Sequence, residues 1–167
     1  MDVKAVVSSQ YGAALRMLEQ VAEACPDEAW FGDAPGDAHA LWQVAYHALF
    51  YTHLYLQESD ADFVPWPRQR GESQYLGNVP WPPQRPAELG APYSQAEVLE
   101  YAAFCRAQVA ERVAALDLAA ASGFDWLPMN KLELQLYNIR HLMQHTGALM
   151  ERLTQDTGIE VNWIGMG

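Results

Sequence analysis

Seven of the ten prolines in this 167-residue chain fall between Asp60 and Tyr93, and that cluster splits the remainder into two helical halves. Proline lacks the N–H that a helix interior requires and clashes with the preceding turn, so these 34 residues cannot continue a helix. No strand-period run of any length competes on either side.

Each half supplies two helices. The first runs from Val3 to Ala24, with Val6, Ala13, Leu15, Met17, Leu18 and Val21 as its apolar stripe and Pro26 after its end. The second follows Gly36, with Asp37 as N-cap, and continues to about Ser59. Leu41, Trp42, Val44, Ala45, Leu49, Phe50, Leu54 and Leu56 cover most of its directions, which marks a helix buried on several sides. The third opens with the capping box Ser94-Gln95-Ala96-Glu97 and runs to about Leu118. The fourth opens at Asn130-Lys131-Leu132-Glu133, a similar device, and runs to Thr157 with Gly158 as its stop. A connection as long as 60–93 spans the length of a bundle and leaves the second and third helices parallel. The expected fold is all-α, one four-helix-bundle domain over residues 1–167 with a long Pro-rich crossover at about 60–93. That crossover is either a passive surface linker or a loop that also shapes a pocket with Trp66, Tyr75 and Trp81.

Ten lysines and arginines against 21 acids give a net charge of −11, a field that opposes phosphate backbones and anionic lipid. Nucleic acid is therefore excluded as an expected partner. No apolar run has the length of a signal peptide or of a membrane span, so the expectation is a cytoplasmic protein without membrane association. Cys25 and Cys105 form no C-x-x-C pair or disulfide framework and read as small buried residues.

The chemistry resides in histidines. His141 and His145 stand one turn apart on the fourth helix and project from one face, where they can meet a single metal ion. At about 100° per residue, that face lies roughly a third of a turn from the apolar stripe of Leu132, Leu136, Ile139, Leu142, Met143, Leu149, Met150 and Leu153. The pair thus flanks the core, either as ligands or as half-exposed imidazoles bonded to water. His47, inside the most apolar helix, is the best third ligand; the alternative is a core histidine bonded to a tyrosine or a carbonyl. His53 points about 120° from His47 and cannot share its ion. His39 starts the helix and is expected to be exposed. H-E-x-x-H, Glu-x-x-His and C-x-x-C-H motifs are all absent.

Taken together, Trp42-Gln43-Val44-Ala45-Tyr46-His47, the long crossover, Arg140-His141-Leu142-Met143-Gln144-His145-Thr146-Gly147 and the closing Val161-Asn162-Trp163-Ile164-Gly165 resemble the DinB-like superfamily over essentially the whole chain. The resemblance implies a divalent metal, zinc or nickel, held by His47, His141 and His145. It also implies a low-molecular-weight thiol co-substrate such as bacillithiol, mycothiol or glutathione, and a homodimer. A metal-held thiol is the nucleophile for transfer to a small molecule, and water would serve for hydrolysis. Tyr51 or Glu58 would exchange a proton beside His47, and Asn138 would orient a ligand imidazole. No basic cluster marks a thiol's carboxylates: Arg68, Arg70, Arg85, Arg140 and Arg152 could meet them, but solvated arginines are the default reading. The competing readings are a dimeric stress-response protein that binds a metal or small ligand without turnover, and a metal-free bundle with structural histidines.

Overall fold

A computed structural model describes residues 1–32 and 39–167. Its helices are α1 (Val3–Ala24), α2 (Asp27–Phe31), α3 (Leu41–Tyr55), α4 (Gln95–Ala115) and α5 (Lys131–Thr157). Among the described residues no strand occurs, only three isolated bridges.

The cap residues act locally. Asp2 accepts the N–H of Ala5, Ser94 and Glu97 close a reciprocal capping box, and Asn130 accepts the N–H of Glu133. Gly158, at φ 74°, ends α5 in the left-handed conformation. Three boundaries differ from the sequence expectation. The short α2 was not foreseen, because Pro26 reads equally as the end of one helix and the entry to the next. Helix α3 stops at Tyr55 rather than near Ser59, because the Lys131 ammonium captures the carbonyls of Gln57 and Glu58 at 2.8 and 2.6 Å and turns them towards α5. Helix α4 stops at Ala115 rather than Leu118, where Asp117 Oδ1 accepts the Ala119 N–H and holds a turn instead. The expected N-cap Asp37 lies outside the described residues; the position before α3 is Ala40, which makes no side-chain cap.

Long-range bonds fix the directions. Lys4 reaches the Ala114 carbonyl and Arg106 pairs with Glu19 at 2.7 Å, so α1 and α4 are antiparallel. The Tyr11 hydroxyl donates to Gln135 Oε1 at 2.8 Å, and Gln20 donates to the Asn162 carbonyl, so α1 and α5 run the same way. The amides of Gln135 and Asn138 donate to the carbonyls of Tyr55 and Thr52, both at 3.1 Å, so α3 opposes α5. Helices α3 and α4 therefore point in the same direction, and residues 56–94 carry the chain back.

That return segment belongs to the core as much as the helices do. Trp66 stacks on Tyr101 with centroids 4.5 Å apart, and Tyr93 stacks on Tyr46 at 4.3 Å. Tyr93 also accepts the Arg70 backbone N–H and donates to the Arg68 carbonyl, which pins the segment at mid-length. Trp66 is 4 % exposed, so it packs the bundle interior instead of lining an open pocket. Cys25 and Cys105 are buried and unpaired. No helix among the described residues is long and apolar enough to cross a membrane.

Candidate metal centre

His47 projects from the middle of α3 and meets His141 and His145 of the antiparallel α5, all three half-buried. Each offers a ring nitrogen, and these nitrogens all lie within 4.8 Å of one another. The Nε2 of His141 lies 3.1 Å from that of His47 and 3.2 Å from that of His145. Two corners of a zinc tetrahedron with ordinary Zn–N bonds are about 3.3 Å apart, so the spacing is that of ligands around one ion.

The hydrogen bonding selects the ligand form. His47 Nδ1 lies 2.6 Å from the Gln74 carbonyl, which can only accept, so Nδ1 carries the proton and the Nε2 lone pair faces the other two rings. His141 Nε2 cannot donate to His47 and at the same time accept from His145, because a single ring nitrogen carries either a proton or a lone pair. Two linear hydrogen bonds therefore cannot form at this nitrogen, whereas a cation meets the lone pairs of all three. Electrostatics agree: burial, the leading cause, lowers all three imidazoles, His47 to about 3 and His141 to about 4. All three are neutral near pH 7, the form in which imidazole ligates. Among the described residues His141 Nδ1 is buried with no partner, whereas the His47 ring is oriented by a direct bond.

Of the other expected participants, Tyr51 is in place, its ring centroid 4.9 Å from that of His47 and 5.3 Å from that of His141. Burial raises its hydroxyl above the ordinary tyrosine value, so near neutrality it is a proton donor and not a base. Glu58 is misplaced by the sequence reading. It lies exposed beyond the end of α3, with its carbonyl on Lys131, ten positions before His141 and hence about 15 Å along α5. Asn138 is fully buried and donates to the Thr52 carbonyl, so its amide ties α5 to α3 and makes no bond to an imidazole. His53 faces α4, 2 % exposed, with Nδ1 3.2 Å from the Tyr101 hydroxyl: a core histidine. His39 is half-buried rather than exposed, and its carbonyl accepts from Arg152.

Most of the candidate arginines are already engaged. Arg68 pairs with Glu100, Arg70 forks onto Glu97, and Arg85 forks onto Glu72. Arg152 is held by the His39 carbonyl, and Arg140 lies over the Tyr137 ring at 5.4 Å.

Tyr51 also borders a cavity of about 310 Å³. Helix α3 forms one wall with Phe50, Tyr51, Leu54 and Tyr55; Tyr75 and Trp81 of the crossover and Trp126 of the α4–α5 connection form the others. Tyr75 and Trp81 thus follow the second of the two readings of the crossover, a loop that shapes a pocket. Gln74 was missed, as was Gln43, which holds the next peptide by donating to the Tyr75 carbonyl at 3.0 Å. A backbone carbonyl leaves no trace in a side-chain pattern; the only signal was that His47 needed an acceptor.

No curated protein and no solved structure matches the chain. The pattern of one family does match, over residues 10–149, a span that includes α3 and both histidines of α5. This all-helical chain with its three-histidine cluster belongs to the DinB superfamily.

Proposed function

We propose that the chain is a metal-dependent enzyme in which His47, His141 and His145 hold a divalent ion, zinc or nickel, and activate a low-molecular-weight thiol or water for transfer to, or hydrolysis of, a small molecule. The observation that carries this reading is the triangle of neutral imidazole nitrogens, whose contacts of 3.1 and 3.2 Å cannot both be linear hydrogen bonds. Three imidazoles without a carboxylate or thiolate leave coordination positions for an exogenous ligand, as catalytic sites do. A divalent ion in such a site lowers the pKa of a coordinated thiol or water enough to give a nucleophile at neutral pH.

The chain's own residues supply the rest. Gln74 holds His47 in the tautomer that presents Nε2. Burial keeps the three rings unprotonated. Tyr51, protonated and against both His47 and His141, is the donor for a leaving group or for developing negative charge. The aromatic cavity beside it excludes water from the co-substrate.

Metal analysis of protein purified without a histidine tag tests the centre: about one equivalent of a divalent transition metal is expected, and less than about a tenth sinks the reading. Conjugation assays with glutathione, bacillithiol and mycothiol against electrophiles such as 1-chloro-2,4-dinitrobenzene test the chemistry. Stoichiometric metal without turnover across that panel would recast the protein as a non-catalytic metal or ligand binder.

A further inference from the structure

We infer that the cavity between α3, the crossover and the α4–α5 connection is the binding site for a small, uncharged aromatic molecule, the electrophilic co-substrate rather than the thiol. Calling the occupant a co-substrate rests on the metal-centre reading; its binding does not.

Tyr51, Tyr55, Tyr75, Trp81 and Trp126 supply most of the wall, and among the described residues no charged side chain lines it. An anion entering it would lose its hydration with no cationic side chain to replace it, and the net charge of −11 opposes its approach as well. The arginines nearest in sequence offer no substitute, since Arg70 and Arg85 are committed to Glu97 and Glu72. A carboxylate-bearing thiol therefore does not fit here, whereas a neutral ring does.

Trp81 and Trp126 meet edge-to-face at 5.7 Å, and Phe124 backs Trp126 at 5.4 Å, so two indoles from separate loops form a braced end to the cavity. Both remain partly open, 51 % and 40 % exposed, although neither loop needs a tryptophan to fill the core there. A ring that stacks on them buries this exposed apolar surface. The volume of about 310 Å³ lies at the small end of ligand pockets, which limits the occupant to one or two fused rings with short substituents.

Tyr51 is at once a wall of the cavity and a neighbour of His47 and His141, and Tyr75 follows Gln74, the residue that fixes His47. A molecule held in the cavity thus packs on the same Tyr51 that touches two of the three histidines.

Calorimetric titration with 1-naphthol tests the proposal on both chelator-treated and zinc-loaded protein. The expected result is one site in either form, with 1-naphthoate, the same ring carrying a negative charge, bound at least about tenfold more weakly. Trp81→Ala and Trp126→Ala should each lose about tenfold in affinity for 1-naphthol with unchanged helical circular dichroism, and Trp126→Phe should stay within about threefold of the parent. No binding of 1-naphthol, equal binding of 1-naphthoate, or unaltered affinity in both alanine variants overturns it. Binding of 1-naphthol by protein that takes up no metal would sink the metal centre and leave the cavity assignment standing; metal uptake without 1-naphthol binding would do the reverse.

Discussion

His47 donates from Nδ1 to the main-chain carbonyl of Gln74 at 2.6 Å, and this one bond couples a helix of the bundle to the proline-rich crossover. A backbone acceptor cannot be mutated away, but its placement can be loosened. Gln43, one turn before His47, holds the adjacent peptide through the Tyr75 carbonyl.

Gln43→Ala therefore frees the 75–76 peptide, next to the one that accepts from His47, while leaving every imidazole present. Groups that orient a ligand histidine are worth about 10- to 100-fold in metal affinity, and a loss near the lower bound is expected here. Competition against a chromogenic chelator measures it; an affinity equal to the parent's would show that the crossover does not orient His47.

The pH dependence of folding follows from buried neutral histidines. His53, outside the metal centre, is surrounded by Tyr101, Phe63 and Phe104, with the charge of Arg112 acting on it. Burial first, then Arg112, lowers it to about 4, below the ordinary 6.5 of an unfolded histidine. A lowered folded-state value means the unfolded chain takes up the proton first. The contribution is thus complete above pH 6.5 and is lost as the pH falls towards 4, by up to about 1.4 kcal/mol per pH unit. Urea denaturation of metal-free protein should show stability falling through this window. A His53→Leu variant, whatever its stability at pH 7.5, should fall less steeply; parallel curves would contradict a buried neutral His53.

How far the chain could be read depended on whether a feature was local. His141 and His145 were legible because four residues of helix is a fixed geometry, and Ser94 and Asn130 because a cap acts within three residues. Glu58 was misplaced for a definite reason: the rule of 100° per residue puts it on the face of His47 only if the helix persists, and α3 stops at Tyr55. What stops it is Lys131, more than seventy residues away, bonded to two carbonyls that no pattern of side chains records. Asn138 was misjudged differently. Its face was right, but at its level α3 lies so close that the amide is drawn into the helix–helix contact.

Lys131 is itself a strong stability element. It is 1 % exposed, and its ammonium donates to the carbonyls of Gln57, Glu58 and Ser122 while lying 5.5 Å from the Phe124 ring centroid. Lys131→Met keeps the stem and strands three carbonyls, which should cost about 3 kcal/mol or more in urea denaturation. A loss below about 1 kcal/mol would mean that water replaces the ammonium freely.

Gly123 completes the same junction. Its φ of 81° is left-handed, and a Cβ there would overlap the Glu58 carbonyl that Lys131 holds. Gly123→Ala should therefore destabilise by about 2 kcal/mol through both strain and displacement of that carbonyl. Since the two substitutions disturb one contact, the double variant should lose less than the sum of the single losses. Additive losses would separate the glycine from the lysine clamp.

Tyr51 offers a test that distinguishes chemistry from scaffolding. Its ring packs against His47 and His141, and its hydroxyl is held protonated by burial. Tyr51→Phe preserves the ring and therefore the packing, so metal affinity and helical content should match the parent. If the hydroxyl donates a proton as the thiol attacks, the conjugation reaction should lose about 10- to 100-fold in kcat with KM little changed, because the donor is needed in the transition state more than for binding. An unchanged kcat would leave Tyr51 as a wall of the aromatic cavity alone. A raised KM with unchanged kcat would instead make its hydroxyl a binding contact for the co-substrate.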